Sequence, residues 1–117
     1  MDETFWTVEF KGDTGVSAGV VIFTKGRIFG GDGGHTFIGN YEGDSRVKGK
    51  ISVHPFFPGS NVTGTHGDYE LEFSGTVEGK TMTLTASVVG NPGNKLAARL
   101  TKVADLPAER PEWLCVP

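Results

Sequence analysis

From Val47 to Thr101 apolar side chains fall on alternate residues, and this alternation restricts the possible folds more than any other feature of the chain. Val47, Gly49, Ile51 and Val53 form one set against Lys48, Lys50, Ser52 and His54. Tyr69, Leu71, Phe73 and Val77 stand against Asp68, Glu70, Glu72 and Thr76. Met82, Leu84, Ala86 and Val88 stand against Thr81, Thr83, Thr85 and Ser87, and Leu96, Ala98 and Leu100 against Ala97, Arg99 and Thr101. Successive side chains of a strand point to opposite faces, so a period of two with one polar set marks antiparallel strands packed on one side. No stretch shows a helical period of useful length.

The N-terminal half reads the same way. Trp6, Val8 and Phe10 alternate with Thr7 and Glu9; Ser17 to Lys25 is a second strand, and Arg27-Ile28-Phe29 a short third. Gly30-Gly31-Asp32-Gly33-Gly34 turns a corner into a fourth strand, His35 to Glu42, in which Phe37, Gly39 and Tyr41 share a face. Tight turns are expected at Lys25-Gly26, at Glu78-Gly79-Lys80 and over Gly90 to Asn94, and Pro55 and Pro58 open a long loop to about Gly67. Glycine is 18 of 117 residues, against a usual ~7%, as many short strands and turns require. The expected fold is all-β: a small eight-stranded antiparallel up-and-down barrel over residues 1–105, with 106–117 as a proline-containing tail. Such a barrel holds packed side chains or one small ligand, and the inward Gly39 and Gly49 are positions that could leave space for one.

Charge and composition exclude several functions. The net charge is -3 and there is no cluster of lysine or arginine, so direct nucleic-acid binding is not expected. A single cysteine, Cys115, allows no internal disulfide and no CxxC pair. The start of the chain lacks the pattern of a signal peptide, and no apolar run is long enough to span a membrane, so a cytoplasmic protein without membrane contact is expected. In that setting the sequon Asn61-Val62-Thr63 is a chance match.

Chemical motifs are sparse. The glycine corner is followed by a β pattern rather than a helix and has no GK[ST], so it is not a phosphate loop; a tight turn with Asp32 bonding local backbone is expected. A likeness to GGDEF stops at three residues. His35, His54 and His66 have no metal-ligand spacing, and His54 falls on a polar face; convergence of a histidine with Asp32 or Asp68 is left open. There is no GxSxG elbow, and Asp68, Glu70 and Glu72 share an outward face that reads as solvated. Most of the aromatic residues sit on apolar strand faces, as core filling requires. No enzyme activity, cofactor or metal is expected.

The first strands carry surplus apolar residues, since Val20-Val21-Ile22-Phe23 is apolar on both faces. One face must lie outside the barrel. Three arrangements answer this: cover by Trp113 and Leu114 of the tail, cover by a second subunit, or a few exposed apolar side chains. The homodimer is taken as the working hypothesis, with Phe5, Val21, Phe23 and Phe29 as its surface.

Trp6-x-Val8-Glu9-Phe10, Gly19-Val20-Val21-Ile22-Phe23, Gly30-Gly31-Asp32, Gly39-x-Tyr41, and the later Leu84-Thr85-Ala86-Ser87-Val88-Val89-Gly90 and Leu100-Thr101 resemble the GrlR-like family of negative regulators of bacterial type III secretion. The resemblance runs from about Trp6 to Leu106. It implies a lipocalin-like barrel that dimerises. It also implies a protein partner, a helix-turn-helix transcriptional activator that the regulator keeps from its promoter. In the family's founding member an acidic run after the fourth strand is exposed; here that loop is Glu42, Gly43, Asp44, Ser45 and Arg46, the expected partner-binding loop. The alternative is a carrier of a lipophilic small molecule in the barrel interior.

Overall fold

A computed structural model describes residues 3–58, 63–65 and 67–106. His66, Trp113, Leu114, Cys115 and two residues of the sequon, Asn61 and Val62, lie outside the described residues. Eight strands follow in order: β1 (Thr4–Gly12), β2 (Gly15–Thr24), β3 (Arg27–Asp32), β4 (His35–Gly43), β5 (Arg46–Pro55), β6 (Tyr69–Glu78), β7 (Thr81–Val88) and β8 (Asn91–Asp105). Each pairs antiparallel with the next, and β8 returns to β1, closing an up-and-down barrel. Closure leaves no sheet edge with unpaired backbone groups.

The strands run longer than their side-chain patterns suggest. Gly30, Gly31 and Asp32 belong to β3, and the turn itself is only Gly33-Gly34. Likewise Asn91 to Asn94, expected in a turn, belong to β8, and the turn before it is Val89-Gly90. Pro92 lacks an N–H, and it falls where the β7–β8 register jumps from Ser87↔Lys95 to Val88↔Asn91, so no ladder bond is lost to it. At the β2–β3 turn both Lys25 and Gly26 have positive φ, 49° and 77°, the geometry that matches the twist of a two-residue hairpin.

The inward residues build the core that the alternation called for. Trp6, Phe23, Ile28, Met82 and Leu100 are almost wholly enclosed, with Val8, Val47, Val53, Phe73 and Leu84 around them. Trp6, 1% exposed, donates its indole N–H to Thr4 Oγ1 at 2.8 Å, so the buried ring leaves no unpaired donor. Phe23 meets Trp6 and Tyr41 edge to face, at centroid separations of 6.4 and 5.0 Å.

Gly39 and Gly49 do not leave ligand space. A Cβ on Gly39 would overlap the Lys50 carbonyl oxygen, and one on Gly49 would overlap that of Asn40. Backbone from the neighbouring strand occupies the room a side chain would need. These glycines crease β4 and β5 so that a sheet of this size can curl shut.

Candidate functional site

In an up-and-down barrel the connections alternate between two ends. The β1–β2, β3–β4, β5–β6 and β7–β8 connections share one end; the β2–β3, β4–β5 and β6–β7 turns share the other. The described part of the long β5–β6 connection reaches across the first end. Phe56 and Phe57 donate backbone N–H groups to Gly34 O, at 2.8 and 3.3 Å. The buried Thr63 accepts from Asn94 Nδ2 through its carbonyl at 2.8 Å, and Gly64 sits beside the Thr14 methyl.

Beneath this cover lies a polar pair. Asp32 and His35 flank the two-residue Gly33-Gly34 turn, so both point the same way, into the barrel. Asp32 Oδ1 accepts from the backbone N–H of Gly34 and of His35, each at 2.8 Å, and lies 3.0 Å from His35 Nδ1. The expected bonding of Asp32 to local backbone is therefore present, and a histidine has been added to it. An ionised carboxylate only accepts, so Nδ1 carries the hydrogen, and Nε2 of a neutral ring is left as an acceptor. The side chains are 11% and 7% exposed for His35 and Asp32.

Tyr69, at the start of β6, joins the group. Burial pushes its phenol above the ordinary 10.0; a hydrogen bond with Thr63 opposes the rise, and the nearby charge of Asp32 adds to it. Below these groups is a small void of about 80 Å³, lined by apolar side chains including Phe10, Phe37, Leu96 and Ala98. A carrier of lipophilic molecules needs roughly 300–1,000 Å³. Phe10 and Phe37 meet edge to face at 6.0 Å.

The outer wall has two characters. On β1 to β4, Phe5, Ile22, Phe29 and Ile38 stand directly opposite one another in turn, continued on β8 by Ala104. Phe29 is 45% and Ile38 55% exposed. Val21 and Phe23, expected on this surface, are instead in the core; Val20 and Ile22 take the outward positions of β2. Both sets are apolar, so no polar set marked the outside. Phe5, half-buried, and Phe29 do face outward.

On β4 to β6 the outer wall is charged and paired across strands. Glu42 meets Lys48 at 3.2 Å, Lys50 meets Glu72 at 3.7 Å, and His54 Nδ1 meets Asp68 Oδ1 at 2.7 Å. These pairs are exposed and each contributes about 0–1 kcal/mol.

The Glu42–Arg46 loop lies at the opposite end from Asp32. It is a two-residue turn, Asp44-Ser45, between β4 and β5. All four side chains, Glu42, Asp44, Ser45 and Arg46, are exposed, and the Ser45 carbonyl accepts from Val77 N–H at 2.8 Å. Lys48 offsets the charge of Glu42.

Sequence reasoning left convergence of a histidine with Asp32 or Asp68 open without predicting it; both occur, as the covered Asp32–His35 pair and the exposed His54–Asp68 pair. The signal for the covered pair was present: two residues flanking a two-residue turn face each other, and Phe37 pointing inward forces His35 inward too. Fold and site define a closed β-barrel with a covered Asp–His pair at one end and an apolar row along one outer wall. No family model matches the chain, and no curated protein matches it.

Proposed function

We propose that this protein is a non-enzymatic regulatory binding protein of the cytoplasm that works through its outer surface. It pairs with a second copy through the Phe5–Ile22–Phe29–Ile38 row. It holds a protein partner through the Glu42–Arg46 turn, in the way that GrlR-like negative regulators of type III secretion hold a helix-turn-helix activator. One observation supports this reading above others: the row of directly opposed apolar residues on the outside of β1 to β4, next to a stretch of outer wall on β4 to β6 that is charged and paired. A contiguous apolar patch of this kind is unfavourable in water until another surface covers it.

The test has two arms. Sedimentation equilibrium at rising concentration is expected to give twice the 12.5 kDa chain mass. Pull-down from extract of the native cells is expected to recover a stable protein partner. Asp44→Lys is expected to weaken that complex and lower its salt sensitivity. A monomeric mass at high concentration together with no recovered partner would overturn the proposal.

A further inference from the structure

We propose that the covered end of the barrel is a binding site for a small organic ammonium, a primary amine on a short apolar chain, with Asp32 taking the charge and the Phe10–Phe37 void taking the chain. Three observations converge on this. The Asp32 carboxylate is 7% exposed and lies 3.0 Å from His35 Nδ1, and among the described residues no lysine or arginine pairs with it. A carboxylate in a poorly solvated place is weakly screened by water, so its field acts strongly on a charge brought beside it. The same field reaches the Tyr69 phenol and opposes its ionisation.

The second observation is the shape of the space beside that charge. The void of about 80 Å³ has walls that are almost entirely apolar. A cavity of roughly 150 Å³ takes a benzene ring, so this one suits a chain of about three or four carbons. The third is the wall itself. Phe10 and Phe37, which meet edge to face at the same end of the barrel, line the void with aromatic surface against which a short alkyl chain can pack. A carboxylate ligand of equal size would meet the Asp32 charge and be repelled. An alcohol would fill the void and hydrogen-bond, without the ionic attraction.

The experiment is an NMR titration of the whole protein with n-butylamine, n-butanol and butyrate at neutral pH. Butylammonium is expected to shift the Phe10, Phe37, Tyr69 and His35 resonances saturably, about tenfold more tightly than butanol, with butyrate inert. Asp32→Asn keeps the Oδ1 acceptor for Gly34 and His35 and removes the charge; amine and alcohol should then bind alike. Ala98→Leu adds volume to the wall of the void and keeps the Asp32 carboxylate, and should weaken butylammonium about tenfold. Equal binding of amine and alcohol to the unaltered protein, or no binding of either, would overturn the proposal. So would amine binding unchanged in Asp32→Asn; if that variant does not fold, unchanged binding in Ala98→Leu decides against it.

Discussion

A single oxygen, Asp32 Oδ1, holds His35 at two points: the backbone N–H at 2.8 Å and the ring Nδ1 at 3.0 Å. It also takes the N–H of Gly34, so the β3–β4 turn and the orientation of the imidazole depend on one side chain. Asp32→Ala is expected to cost about 2–4 kcal/mol, because it strands donors in a poorly solvated place. Asp32→Asn, which keeps an acceptor at Oδ1, should cost less than half as much. Urea midpoints of the two variants check this; equal losses would mean that the carboxylate charge, not the acceptor, holds the turn.

Gly49 is expected to resist substitution more than its place in a strand suggests. A methyl group there would overlap the Asn40 carbonyl, which is backbone and has little freedom to move. Gly49→Ala should destabilise by about 2–4 kcal/mol or prevent folding. Gly33→Ala is the control, since nothing lies within 4 Å of the added carbon; it should change stability by less than about 1 kcal/mol. Thermal melts of both variants separate the two cases.

The phenol of Tyr69 makes stability fall at alkaline pH. Its folded pKa lies above the unfolded 10.0, mainly through burial, so the folded state holds the proton more firmly than the unfolded state. That contribution is complete below pH 10.0 and is lost as pH rises through the folded value. Tyr69→Phe cannot ionise, and should show a smaller loss of stability between about pH 9 and 11.5 in urea titrations. An identical decline in both proteins would assign the alkaline loss to other groups.

Phe29 sits in the middle of the outer row, opposite Ile22 on one side and Ile38 on the other. Phe29→Lys should leave the monomer fold within about 1 kcal/mol, because the position is already open to water. It should abolish self-association, since a charge would have to be buried at the contact. Analytical ultracentrifugation reads this directly; a dimer that survives the change uses a different surface.

The order and number of strands were legible in the chain, because alternation is local: each residue's face follows from its neighbours in sequence. Turn positions at Lys25-Gly26 and Glu78-Gly79-Lys80 followed from the same kind of local chemistry. The face of β2 that points inward was not legible, since Val20 to Phe23 is apolar throughout, and a one-residue shift exchanges the faces. Only pairing with β1 and β3 put Val21 and Phe23 inside and aligned Ile22 with Phe5 and Phe29. The glycines show the same division. Sequence placed Gly39 and Gly49 on the inner face, but closure of the barrel brought the next strand's backbone into the space they leave. The Asp32–His35 pair needed both kinds of information. A two-residue turn makes the two residues face each other, and the barrel around them excludes the water that would otherwise weaken their contact.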